Sequence, residues 1–193
     1  DWGRDAFNDT IARLKRSGIG IAGAGINRAE AENPFIIEKK GIKFGFIGFS
    51  DVGPQSLGVT ESTSGILLGN DVRYSEIIKE ASKKVDILIV SMHAGVEYEP
   101  HTERQELLAY KAIDAGARLF IGSHPHIAQD IQTYKGGVIA YSLGNFIFDQ
   151  AFSDETMHGM VLNVTVNKGE IKKYEKKTIV MNEFFQPDWV DGN

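Results

Sequence analysis

The sequence predicts an α/β protein with a mixed sheet, or with two stacked sheets and helices outside. Three observations lead there. Amphipathic helical periods alternate with short apolar runs as far as residue 121. One of those runs, Val85-Asp86-Ile87-Leu88-Ile89-Val90, is continuous and rich in β-branched residues, as in a strand buried on both faces. From residue 127 the pattern changes to short strands joined by tight turns, which read as antiparallel.

In chain order, Phe7, Ile11 and Leu14 fall at i, i+4 and i+7 and mark a helix from about residue 4, closed by Gly18. A short apolar strand over 19–24 follows. Phe35-Ile36-Ile37 and the run 43–49 read as two strands around Lys40-Gly41. Residues 50–69 are rich in Gly, Ser and Thr and have no period; long loops of this kind are often functional. Asn70 or Asp71 caps the next helix, whose inner face is Tyr74, Ile77, Ile78 and Ala81. Thr102-Glu103-Arg104-Gln105 is a capping-box pattern, and Leu108, Ala112 and Ile113 continue its apolar face to Gly116. Leu119-Phe120-Ile121 is the next strand. Residues 127–134, 138–141 and 146–148 read as strands, and 160–166 with 171–181 as a hairpin around Asn167-Lys168-Gly169. There is no internal repeat, and the expected organisation is a single domain over 1–185 with a tail over 186–193.

The 193 residues are 42% hydrophobic and 24% charged, which excludes disordered and low-complexity classes. A chain of this length buries roughly 70% of the surface its unfolded form exposes, so its core needs no covalent staple. It has no cysteine, which excludes disulfides, thiolate catalysis, Cys-ligated zinc and iron–sulfur clusters. No apolar run reaches the roughly 18 residues of a membrane span. Lys plus Arg is 21 against 26 Asp plus Glu, and a net charge of −5 argues against a non-specific nucleic-acid binder. The opening Asp1-Trp2-Gly3 enters a helix almost at once and reads as the inside of a domain.

Two stretches carry unusual chemistry. Ser91-Met92-His93-Ala94-Gly95 follows the buried strand at 85–90, and Gly122-Ser123-His124-Pro125-His126 follows the strand at 119–121. In α/β proteins, ligands gather at the carboxyl ends of strands. In extended backbone His124 and His126 project from the same side, and Pro125 supports that geometry by keeping His124 out of helix. Two imidazoles on one side, with His93 from a neighbouring strand, make a candidate divalent-metal cluster. His101, at a helix start, is expected to face solvent, and His158, in an acidic loop, to lie at the surface. Glu97 and Tyr98 either touch substrate or serve as a loop acid and a half-buried aromatic. Asn145 is a candidate substrate contact beside the histidines, and otherwise orients a histidine from behind or satisfies the backbone of its turn. The lysines at 168, 172, 173, 176 and 177 either meet an anionic polymer or form a solvated strand face.

The ordered set His93-Ala94-Gly95-Val96-Glu97-Tyr98, Pro100, Gln105, Asp114-Ala115-Gly116-Ala117, Gly122-Ser123-His124-Pro125-His126 and Tyr141-Ser142-Leu143-Gly144-Asn145-Phe146 resembles the bacterial capsule-synthesis CapA family, also called the poly-γ-glutamate capsule family. Asp1-Trp2-Gly3, Gly23-Ala24-Gly25, Ala29 and Ala31 match its pattern as well. The likeness covers residues 1 to about 150, and the final hairpin only loosely. The family belongs to the calcineurin-like metallophosphatase superfamily, so the resemblance implies a four-layer αββα sandwich of mixed sheets with a two-metal site at the strand ends. By the same resemblance His93 is the isolated metal-binding histidine, and His124 and His126 are the paired ones. Gly122 is the glycine whose missing side chain permits close backbone approach.

The family's earlier ligand blocks lie upstream of the position Asp1 resembles. The expectation is therefore an N-terminally incomplete site, with two divalent ions (Mn, Zn or Fe) in the complete family and one or none here. The resemblance implies a metal-dependent, hydrolase-type domain of capsule biosynthesis, inactive as this fragment, acting on an anionic capsule polymer or a phosphate-containing small substrate. A non-catalytic factor for polymer binding, export or assembly is the alternative. It further implies partnership with other capsule-synthesis membrane proteins, and a place at the extracytoplasmic face of the cell envelope through an anchor or signal outside this sequence. Nucleic acid is not an expected partner.

Overall fold

The computed structural model describes residues 2–190. In chain order the elements are α1 (Gly3–Arg16), β1 (Ala24–Gly25), α2 (Arg28–Ala31), β2 (Phe35–Lys39), β3 (Ile42–Ser50), β4 (Gly65–Ile66), α3 (Tyr74–Ser82), β5 (Ile87–His93), α4 (Glu103–Asp114), β6 (Leu119–Ser123), β7 (Ile131–Tyr134), β8 (Gly137–Ala140), β9 (His158–Asn167), β10 (Glu170–Met181) and β11 (Pro187–Trp189). Single 3₁₀ turns lie at Gln55–Leu57 and Glu155–Met157. A six-stranded sheet has the order β2-β3-β5-β6-β8-β7. Its four inner strands are parallel and its two edges antiparallel. A three-stranded antiparallel sheet has the order β11-β10-β9, and β1 pairs with β4.

The register sorts side chains by face. Ile47, Val90, Phe120 and Ile139 are successive neighbours across the sheet, as are Phe49 and Met92. All are buried in one core with Tyr74, Ile77, Ile78 and Ala81 of α3 and Leu108, Ala109, Ala112 and Ile113 of α4. Each large side chain fully buried this way contributes about 1.5–3 kcal/mol. Tyr74 seals the α3–α4 contact by donating its buried hydroxyl to the Leu108 carbonyl at 3.1 Å. The opposite face carries Phe46, Ile89 and Leu119, then Ser91 and Ile121, then His93 and Ser123 at the strand ends. The β9–β10 hairpin runs along that side. Its base meets the Gly144–Asn145 turn, where Met160 donates its N–H to the Leu143 carbonyl, and its tip lines one cleft with Arg118 and Gly136. Helices, a mixed sheet and a second sheet therefore stack as an α/β sandwich.

Several local expectations need correction. The strand over 19–24 shrinks to Ala24–Gly25 because Gly23 has φ +77° and crosses the β3 backbone; a Cβ there would lie 1.8 Å from the Gly48 carbonyl oxygen. The strand over 127–134 begins only at Ile131, since before it the chain makes one isolated bridge, Ala128 to Leu143. Residues 146–148 form no strand. Gly144, at φ +72°, turns the chain away from the sheet and leaves Phe146, Ile147 and Phe148 exposed. Helix α3 starts at Tyr74 without a side-chain cap; Asp71 instead accepts the Arg73 N–H at 2.8 Å, one turn early. The capping box at α4 forms as the pattern predicts, with Thr102 and Gln105 exchanging bonds. Asp1 and residues 191–193 lie outside the described residues, so the expectation attached to Asp1 does too, while Pro187–Trp189 of the expected tail pairs with β10.

Candidate metal centre

Strands β5 and β6 are parallel neighbours whose last residues, His93 and Ser123, face each other in register. Strand alternation sends His93 out on the face opposite the helices. The chain then leaves the sheet at Ser123, because β8 offers β6 no partner beyond Ala140. The expected extended run over His124–His126 is therefore wrong. His124 has φ +107° and His126 φ +61°, so a tight turn, not strand alternation, places the two rings. The turn is held by Ala94 donating to the Ser123 carbonyl at 3.0 Å and Tyr98 donating to the Pro125 carbonyl at 2.8 Å. Gly122 makes the approach possible: a Cβ there would sit 1.9 Å from the Tyr141 carbonyl oxygen.

The turn nonetheless clusters the histidines. The His93 and His124 ring centroids lie 4.7 Å apart, and those of His124 and His126 6.3 Å. Left-handed backbone concentrates here. Lys40, Lys135 and Lys168 adopt it in hairpin turns, each followed by glycine, and Phe185 in a turn before β11; the remaining non-glycine cases among the described residues are Tyr98, His124 and His126. Such strain persists only where the surroundings over-determine it, and it gathers at functional sites. The His93 pKa is held below the ordinary imidazole value, first by partial burial and then by the two neighbouring histidines, with Glu97 opposing. Neutral imidazole is the form that ligates metals.

His126 is the most constrained ring. Its Nδ1 lies 2.9 Å from the Asn145 Oδ1. Tyr98 stacks on it at 6.0 Å between centroids, and Phe148 packs at 5.0 Å. Phe152 meets Tyr98 edge-on at 4.9 Å, and the Gln150 amide donates to the Tyr98 hydroxyl at 3.0 Å. All six candidates, His93, Glu97, Tyr98, His124, His126 and Asn145, thus fall at one end of the sheet. Glu97 is exposed and acts on His93 through its charge. His101, expected in solvent, instead stacks flat on Tyr141 at 4.2 Å, with its Nδ1 3.3 Å from the Asp130 carboxylate. His158 starts β9, with its Nδ1 2.8 Å from the Asp154 carbonyl oxygen. Phe148, Gln150, Phe152 and Thr156 escaped the sequence reading; the dense aromatic run Phe146-Ile147-Phe148…Phe152 between two strands was their one visible signal.

The imidazoles suit a divalent ion in donor chemistry, and the His93 and His124 rings are the nearest of them, with centroids 4.7 Å apart. Among the described residues, however, no three His, Asp or Glu side chains form a complete ligand group. The lysine run divides: Lys172 pairs with Glu170 and Lys173 with Glu175, whereas Lys176 lines a cleft of about 690 Å³ with His101, Asp130 and Tyr174.

The chain is similar to several known proteins. The profile of the bacterial capsule synthesis proteins, PGA_cap, matches residues 1–150. The chain is 32% identical over 185 residues to the PGA biosynthesis protein CapA of Bacillus subtilis, covering 95% of this chain and 48% of that one. It is 36% identical over 158 residues to the capsule biosynthesis protein CapA of Bacillus anthracis, covering 79% and 38%. A probable polyglutamine synthesis accessory protein of Mycobacterium tuberculosis is 27% identical over 161 residues, covering 77% and 42%. The chain thus spans half or less of the length of these relatives. The crystal structure of a hypothetical protein from Thermus thermophilus shares the fold, with a TM-score of 0.51 at 12% identity over 76% of this chain and 61% of that one.

Proposed function

Since the chain belongs to the bacterial capsule synthesis family PGA_cap, we propose that it serves the biosynthesis of a poly-γ-glutamate or related capsule polymer, and that its histidine cluster is the metal-holding half of a hydrolase-type site. The observation that carries this reading is the meeting of His93, His124 and His126 beyond the carboxyl ends of two adjacent parallel strands. His93 and His124 would hold a divalent ion, with His126 beside them. When bound, such an ion polarises a phosphoryl or acyl oxygen and lowers the pKa of water. The chain's own residues do the rest. Partial burial lowers the His93 pKa and so favours the neutral form that can donate its lone pair. Tyr98, Phe148 and Phe152 form a partly exposed aromatic wall beside His126. The Tyr98 hydroxyl accepts from Gln150, so its own proton is free to donate to a substrate oxygen. Action at the cell envelope, alongside capsule-synthesis membrane proteins, belongs to the same reading.

A second reading has one observation in its favour. Because the described residues hold no complete three-ligand group, the chain fits equally a polymer-binding or assembly factor that keeps the histidines without turnover. One experiment separates the two. The longer protein is assayed with Mn²⁺ against a generic phosphodiester and against polyglutamate, beside its His124→Ala variant. Turnover lost in the variant supports the metal-dependent enzyme. No turnover in either protein, with capsule output unchanged, refutes it in favour of assembly.

A further inference from the structure

We infer that the loop from Gln150 to Thr156 acts through Asn145 as a tautomer lock on His126, leaving that ring protonated on Nδ1 and bare on Nε2. Thr156 is fully buried, and its single hydroxyl proton is shared between the Gln150 and Ser153 carbonyls, so the loop is tied upon itself. Its own carbonyl accepts the Asn145 side-chain amide at 3.0 Å, and the Gln150 Oε1 accepts the same nitrogen at 3.3 Å. A backbone carbonyl has no proton to give, so the nitrogen of the Asn145 amide must face it. That fixes which way the amide lies, and its oxygen then faces the His126 Nδ1 at 2.9 Å. An amide oxygen carries no proton either, so the proton between them belongs to His126. The neutral ring is left with its lone pair on Nε2 alone.

Two aromatic rings pack beside the imidazole, Tyr98 at 6.0 Å and Phe148 at 5.0 Å between centroids. The Gln150 amide that donates to the Tyr98 hydroxyl couples the aromatic wall to the same lock. Asn145, Gln150 and Thr156 are positioning residues: none touches a reacting atom, and each acts through His126. An open Nε2 is what a metal or a substrate proton needs, since a partner that fixes one ring nitrogen decides what the other can do. Its use in holding a metal rests on the reading proposed above; the lock itself does not.

The test is two-bond ¹H–¹⁵N correlation NMR on the metal-free, ¹⁵N-histidine-labelled chain above the imidazole pKa, in the wild type, Asn145→Ala and Asn145→Asp. The wild type should show His126 as the Nδ1–H tautomer, whereas free imidazole side chains favour Nε2–H. Asn145→Ala should return His126 to Nε2–H, and Asn145→Asp, which keeps an acceptor, should retain Nδ1–H. A purely structural role would move both variants alike. If Asn145→Ala fails to fold, the wild-type spectrum alone decides. Nε2–H at His126 in the wild type, or an unchanged tautomer in a folded Asn145→Ala, overturns the inference. Calorimetric titration of the same proteins with Mn²⁺ and Zn²⁺ keeps the two ideas apart. An affinity about tenfold or more weaker in Asn145→Ala supports the lock in its metal-holding use. Nδ1–H in a wild type that binds neither ion supports the lock and removes only the metal reading.

Discussion

Replacing Gln105 by alanine should cost this fold about 3 kcal/mol, far more than its polar character suggests. Gln105 is 1% exposed and lies at the third position of α4. Its Oε1 accepts the Thr102 N–H at 2.9 Å, closing the capping box. Its Nε2 donates to the Gln129 Oε1 at 3.0 Å, and Gln129, itself buried, donates onward to the Glu99 carbonyl at 2.8 Å. Truncation orphans two groups. An unsatisfied buried polar group costs about 1–3 kcal/mol. The Thr102 N–H is partly reachable by water, which puts it near about 1 kcal/mol, and the enclosed Gln129 oxygen near about 2. For a domain of this length each kcal/mol lowers Tm by about 2–4 °C, so the expected fall is about 6–12 °C. Thermal unfolding followed by far-ultraviolet circular dichroism reads it directly, and urea titration should show the midpoint falling at constant slope. A Tm within about 2 °C of wild type would refute the reasoning, because it would mean that water or repacking satisfies both groups. The same change frees the loop over 95–101, so the contact of Tyr98 with His126 should loosen too.

Gly122→Ala should be at least as damaging. The added Cβ meets a backbone oxygen at 1.9 Å, and a backbone oxygen cannot swing aside, so β6 must shift against the residues after β8. A loss at or above about 3 kcal/mol is expected, read as Tm, and a wild-type Tm would show that the strands are less tightly apposed than this. The His93 shift gives a pH dependence whose sign is fixed. Its folded pKa lies below the unfolded value of 6.5, so in the window between them the unfolded chain binds more protons. Stability should therefore rise with pH through that window and decline as pH falls below about 6.5. His93→Gln should flatten the decline in urea-unfolding profiles; an unchanged slope would show that His93 does not carry it.

Much of the architecture follows from local pattern. The Val85–Val90 run, the capping box at Thr102–Gln105 and the helix face Tyr74, Ile77, Ile78 and Ala81 are legible because burial and capping act within a few residues of the chain. The histidines are legible for a related reason, since each directly follows or closes an apolar strand, and strand ends are where side chains become available to ligands. Strand pairing is different, because it depends on partners distant in sequence. Residues 146–148 have strand-like composition but pair with no strand, so they stay exposed, and Phe148 packs beside His126.

What the sequence by itself determined was which residue types stand at the strand ends and which faces are apolar, because periodicity and composition encode both. Only the tertiary structure decided how the imidazoles meet. The left-handed turn at His124 and His126 depends on where β6 loses its partner strands, and the grip of Asn145 on His126 depends on a loop whose buried threonine is met only after folding. Neither leaves a local signature, since each is the outcome of backbone hydrogen bonds that have to be satisfied somewhere once the sheet ends.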